Sequence, residues 1–216
     1  MKQAHSGWSR SLEALERLRE GNRRFVSDIR GHEALTDQIR RGEVADGQAP
    51  FAIILGCSDS RVPVEFVFDQ GLGDLFVIRV AGNIVAPSQV GSVEFAATQF
   101  GTPLVVVLGH SKCGVIQVCL DVILRPAETP SRNVRSIVDR VRPSVEPLLA
   151  TEFARDTDAL VQHAVRANIR ASANHLRHGS DILEQLIQQE SLLVVGADYS
   201  LETGRVDFFD GAQVTT

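Results

Sequence analysis

The stretch Leu104-Val105-Val106-Val107-Leu108-Gly109-His110-Ser111-Lys112-Cys113-Gly114 changes character halfway along. Its first part is continuously apolar rather than alternating, the pattern of a strand buried on both faces of a parallel sheet. Its second part puts a histidine and a cysteine just beyond the strand end. An earlier segment repeats this layout: the apolar run 51–56 leads into Cys57-Ser58-Asp59-Ser60-Arg61-Val62-Pro63. Two further apolar runs, 75–80 and 192–197, bring the buried strands to four. Helical patterns fill the intervals at 88–100, 114–124, a proline-punctuated 131–149, and 157–177. The last of these stops at Gly179, and Ser180 caps another helix ending near residue 189. Glu202-Thr203-Gly204 reads as a turn into a short edge strand, 206–209. Near the start, Leu12, Leu15, Leu18 and Phe25 recur at helical spacing in an otherwise charged segment. Strands alternating with helices predict an α/β fold, with a mostly parallel central sheet flanked by helices, an antiparallel edge strand and an N-terminal helical arm. One domain over 1–216 is expected, residues 1–30 forming the arm.

Composition narrows the classes of function. Of 216 residues, 44% are hydrophobic and 23% charged, which is ordinary for a soluble globular chain. The net charge of -5, from 22 basic and 27 acidic residues, argues against a nucleic-acid or anionic-membrane surface. No apolar run approaches the roughly 18 residues of a membrane span, and the polar N-terminal segment does not read as a signal peptide. A cytoplasmic, reducing location is the expectation. There, three cysteines (Cys57, Cys113 and Cys119) do not make a disulfide framework.

In open α/β sheets, ligands bind beyond the carboxyl ends of strands where strand order reverses. If strands 51–56 and 104–109 are neighbours there, Cys57, His110 and Cys113 converge. Two thiolates and an imidazole suit zinc, and three protein ligands leave a fourth position for water. Cys119, inside an apolar helical stretch, reads as packing. A cysteine-based phosphatase needs its arginine about six residues after the nucleophile, whereas Arg61 follows Cys57 by four. A nucleophile elbow needs glycine where Cys113 stands. A closed structural zinc site wants a fourth strong ligand, and Asp59 is the sole nearby candidate.

CSDSRVP followed about fifty residues later by GHSKCG resembles the β-class carbonic anhydrases. The likeness extends through Asp69-Gln70-Gly71, Arg79-Val80-Ala81-Gly82-Asn83, Glu94-Phe95 and Gly196-Ala197-Asp198-Tyr199. It implies one zinc per chain on Cys57, His110 and Cys113, with an Asp59–Arg61 dyad beside it. The implied activity is the reversible hydration of carbon dioxide to bicarbonate and a proton by zinc-bound hydroxide. Two thiolates make the metal a weaker Lewis acid than three histidines do, so alkaline pH should favour the reaction. The resemblance further implies Gln48 and the backbone N–H of Gly114 as substrate donors, and Phe76 and Phe95 as pocket walls reaching across from a partner subunit. It implies a homodimer or a dimer of dimers, the N-terminal helix embracing the second subunit. Some relatives carry a Trp where Ile54 stands, together with an Arg and a Tyr that match Arg79 and Tyr199; they close the site by putting the aspartate on the metal. Ile54 and Gln48 resemble the open subgroup, so Asp59 is expected on Arg61 and would ligate zinc only in a closed site. The alternatives are a related zinc hydrolase acting on carbon disulfide or carbonyl sulfide, and a non-catalytic zinc- or bicarbonate-binding protein.

Overall fold

The computed structural model describes residues 8–29, 38–125 and 130–212. Five strands form one sheet: β1 (Ala52–Gly56), β2 (Leu75–Arg79), β3 (Leu104–His110), β4 (Leu193–Tyr199) and β5 (Val206–Asp210), in the order β2-β1-β3-β4-β5. The first four are mutually parallel, and β5 pairs antiparallel with β4. Strand order reverses between β1 and β3, so the carboxyl ends of these two strands flank the switch point.

The continuous apolar runs have a direct cause, because both faces of the sheet are covered. Ile53, Leu55, Val105, Val107 and Val194 point into one core, closed by α4 (Pro87–Gln99), α5 (Gly114–Leu124), α6 (Arg132–Val145), α7 (Thr157–His178) and α8 (Asp181–Gln188). Ile54, Leu104, Val106, Leu108 and Val195 point into a second, closed by α1 (Ser9–Val26) and the one-turn α3 (Val64–Val67). Helix α7 lies close on the sheet because β3 and β4 offer glycines beneath it. A Cβ on Gly109 would stand 2.5 Å from Ile169 Cδ1, and one on Gly196 would stand 2.8 Å from Ile169 Cγ2.

The N-terminal helix is anchored on its own chain. Leu15 and Leu18 are fully buried in the chain's own second core. Ser11 Oγ donates to the Pro103 carbonyl at 2.9 Å; Asn22 Nδ2 donates to the carbonyls of Val67 and Gly204, and Asn22 Oδ1 accepts the Val206 N–H. The apolar face is therefore satisfied at home and supplies no argument for a second subunit. At Gly21 the helix meets the chain so closely that a Cβ would stand 1.8 Å from the Phe68 carbonyl oxygen. Gly21→Ala should thus destabilise by about 1–3 kcal/mol through overpacking, although alanine is the better helix former by about 1 kcal/mol. Urea denaturation reads this directly. An unchanged or raised midpoint would contradict the packing of α1 on its own sheet.

Candidate metal centre

Cys57 directly follows β1, His110 ends β3, and Cys113 sits at the N-cap of α5. Their donor atoms all lie within 4.8 Å of one another, and all three residues are buried. Donors about 2.0–2.3 Å from a common tetrahedral centre stand about 3.5–4 Å apart, so the three are close to ligating distance. They form the one such cluster among the described residues.

The polar environment matches a cation. His110 Nδ1 lies 2.8 Å from the Ser111 carbonyl oxygen, which fixes a proton on Nδ1 and leaves Nε2 a lone pair. Nε2 is buried and has no hydrogen-bond partner, an expense accepted where a metal is the partner. The Cys57 thiol is pulled down to about 4, first by Cys113, against burial, and further by His110 and the amide of Gly82. That amide lies 3.3 Å from Cys57 Sγ. Cys113 moves the opposite way, because the Cys57 sulfur holds the shared proton on it and burial adds to that. Two acids sharing one proton behave so; a divalent cation between them lets both ionise. The amides of Ile116 and Val115, at the start of α5, already favour the Cys113 thiolate. Burial opposes charge on His110, but Cys57, the Ser111 carbonyl and Asp59 outweigh it and leave its pKa raised. The donor set, its burial and the orphaned Nε2 together fit zinc.

Asp59 and Arg61 stand beside the cluster as a bidentate pair. Arg61 Nε donates to Oδ1 at 2.9 Å, Nη2 donates to Oδ2 at 2.7 Å, and the Arg61 backbone N–H adds a bond to Oδ1 at 3.0 Å. Arg61 therefore holds the carboxyl far below the usual carboxylate range, despite partial burial. Oδ2 is 3.9 Å from His110 Nε2 and so borders the centre. Arg79, at the end of β2, fixes the loop from behind by donating to the carbonyls of Cys57 and Asp59 at 3.0 and 2.6 Å. Ile54 and Tyr199 are buried in the second core.

The chain brings Cys57, Asp59, Arg61, His110, Cys113 and Gly114 together, with Gly114 opening α5 next to Cys113. It does not bring Gln48, Phe76 or Phe95 to them. Gln48 is exposed in the loop before β1, at the amino end of that strand, whereas Cys57 follows its carboxyl end. Phe76 pairs with Ile53 near the amino end of edge strand β2, and its ring contacts those of Phe95 and Phe100. Sequence reading missed the roles of Gly82 and Arg79 behind Cys57. The glycine after strand 75–80 was their one signal: Gly82 takes φ +73°, and a Cβ there would stand 2.8 Å from Val115. Cys119 is buried in the first core, where burial pushes its thiol up to about 11, and it lies outside the cluster.

Fold and site thus define a class: a doubly covered parallel-sheet protein whose switch point carries a buried Cys2His centre with a guanidinium-held carboxylate beside it. The sequence profile described as carbonic anhydrase matches residues 52–206. Carbonic anhydrase 2 of Mycobacterium tuberculosis is 40% identical over 192 residues, covering 89% of each chain. The β-carbonic anhydrase CcaA superposes with a TM-score of 0.73 at 25% identity, over 91% of this chain and 95% of that one. One of two tetrameric β-carbonic anhydrases of Sordaria macrospora superposes with a TM-score of 0.69 at 25% identity, over 78% and 84%. The chain belongs to the carbonic anhydrase family, in its β class.

Proposed function

We propose that this chain, a zinc-dependent carbonate dehydratase, interconverts carbon dioxide and bicarbonate at Cys57, His110 and Cys113, and that it works as a homodimer or dimer of dimers. The observation that carries the reading is the buried thiol–imidazole–thiol cluster with an unpartnered Nε2 and an ionised carboxylate facing it. Zinc held there supplies a Lewis acid that makes a bound water acidic enough to act as nucleophile.

The protein groups do the positioning. Asp59 stays ionised and keeps Oδ2 as a proton acceptor toward the centre, which orients an attacking oxygen's lone pair at carbon. Arg61 prevents that carboxylate from turning to the metal by holding both its oxygens; this supports an open site. The N–H of Gly114, in the first turn of α5, has no intrahelical carbonyl to bond and is assigned to the developing bicarbonate oxygen. Gln48, Phe76 and Phe95 of a second copy complete a small apolar pocket with one side-chain donor.

Support for a second copy comes from the sheet edge rather than from α1. Among the described residues, strand β2 is unpaired on its outer side, and three of its five residues are only part-buried apolar ones. Phe95 beside it is 51% exposed, in edge contact with Phe100. An apolar aromatic patch along an open edge marks an interface. No described helix is long and apolar enough to cross a membrane, and the cytoplasm is the proposed location of this single-domain chain.

Two assays test the reading. Stopped-flow hydration of carbon dioxide should be fast, while carbon disulfide and carbonyl sulfide should turn over negligibly; the reverse order would assign the chain to the hydrolases. Light scattering should find no active monomer. Mixing inactive Cys57→Ser with Gln48→Ala subunits should restore part of the activity, since one mixed site then holds both intact halves. A fully active monomer would overturn the shared pocket.

A further inference from the structure

The loop that carries two of the three cluster residues is held in an unfavourable shape. Lys112, between His110 and Cys113, takes φ +54°, a left-handed conformation that is unfavourable for an ordinary L-residue. The backbone ladder helps at one point, where the Ser111 N–H donates to the Tyr199 carbonyl at 2.9 Å. Arg61 Nη2 adds a bond to the Lys112 carbonyl at 3.3 Å, and the side chains of Ser111 and Lys112 both reach Glu202, in the turn between β4 and β5. Ser111 Oγ donates to Glu202 Oε2 at 2.9 Å and accepts the Leu201 N–H at 3.0 Å. Lys112 Nζ lies 2.7 Å from Glu202 Oε1, and Ser200 Oγ donates to Oε2 at 3.3 Å. One carboxylate thus grips two consecutive residues of the ligand loop with both oxygens.

Global stability does not explain this arrangement. The Lys112 and Glu202 side chains are 69% and 46% exposed, and exposed ion pairs contribute little to folding. The geometry instead mirrors the other half of the site, where Arg79 grips the carbonyls of Cys57 and Asp59. We propose that Glu202 is a positioning residue for the metal: by holding Ser111 and Lys112 it fixes the left-handed turn that aims His110 Nε2 and Cys113 Sγ at one point. This rests on the reading of Cys57, His110 and Cys113 as zinc ligands. Loss of such an outer partner lowers metal affinity by about 10- to 100-fold.

The test uses the full zinc-loaded chain and measures zinc transfer to a chromogenic chelator, alongside the visible spectrum of the cobalt-substituted protein. Glu202→Ala should release zinc about 10-fold faster and shift the cobalt ligand-field bands. Glu202→Gln, which keeps an acceptor for Ser111, should restore part of the difference. Ser111→Ala should reproduce part of the Glu202→Ala effect, and the double variant should add little to Glu202→Ala, because the bond that Ser111→Ala removes is already broken there. The unfolding midpoint of the metal-stripped protein should stay within a few degrees in every case. Release within twofold of the unchanged chain, with an unaltered cobalt spectrum, would overturn the proposal. So would faster release matched by an equal loss of stability in the stripped protein. If Glu202→Ala does not fold, Glu202→Gln and Ser111→Ala carry the same comparison. A parallel Cys113→Ser sample separates the two levels: zinc retained there would refute the ligand set, whereas zinc lost there with normal release in Glu202→Ala would refute only the clamp.

Discussion

Cys113→Ser should leave the chain folded but nearly free of zinc, with carbon dioxide hydration close to the uncatalysed rate. A serine hydroxyl does not ionise at neutral pH, so the site keeps one soft anionic donor and one imidazole. The amides of Val115 and Ile116 that favour a thiolate at this position would face a neutral oxygen instead. An affinity loss above about 100-fold is expected, since removing a ligand exceeds the effect of removing an outer partner. Cys119→Ser is the matched control. That thiol is buried in the core between α5 and α6, donating weakly toward the Val138 carbonyl 3.9 Å away, and its replacement should leave one zinc per chain. Metal analysis after gel filtration decides both. Full zinc content in Cys113→Ser would remove the basis of the site.

Asp59→Asn should act on turnover while sparing the metal. The amide keeps the shape of the carboxylate but presents an N–H2 where an acceptor is needed, either toward the centre or toward Arg61. A loss of about 100-fold or more in kcat is expected, the scale on which positioned proton acceptors contribute, with zinc content unchanged. The pH dependence sharpens this expectation. Arg61, first among the causes, lowers the Asp59 pKa well below the ordinary carboxylate value. Asp59 is therefore fully charged across any neutral or alkaline assay, and its own titration adds nothing to a rise in kcat there. The residual activity of Asp59→Asn should consequently rise with pH as the unchanged enzyme does. Activity within tenfold of the unchanged chain, or a flattened profile, would assign Asp59 a different role.

Periodicity and continuity made most of the fold readable. Each of the four apolar runs became a strand within two residues of its expected bounds, because double burial demands uninterrupted apolar side chains. The strand 193–199 extends past the expected end at 197 because Asp198 and Tyr199 still pair with Gly109 and His110, a fact of register that no local pattern contains. The short helices α2 (Gln38–Glu43) and α3 carry too few residues for a period to be seen. The N-terminal helix shows the limit most clearly. Its spacing of leucines revealed a buried face, but not which chain covers it, and Leu15 and Leu18 turn inward to β1 and β3.

The metal cluster was legible because the chemistry needs rare residues immediately after two strand ends. The Asp59–Arg61 pair followed from the resemblance, and the structure joins the two side chains directly. Gly82, Arg79 and Glu202 were not legible as supports. Glycine, arginine and glutamate in loops are common, and their work depends on which distant backbone groups the fold delivers to them. Gln48 precedes β1 and Phe76 sits near the amino end of β2, whereas the cluster lies beyond the carboxyl ends of β1 and β3, so one chain alone does not display the proposed pocket.

The most direct measurement is a zinc titration of the metal-stripped full chain, followed by stopped-flow carbon dioxide hydration with a pH indicator. The rate should rise linearly with added zinc and break at one equivalent per chain, while Cys113→Ser treated identically stays at background. A chain that hydrates carbon dioxide equally well without zinc, or a Cys113→Ser variant that gains full activity on zinc addition, would contradict catalysis at the Cys57–His110–Cys113 centre.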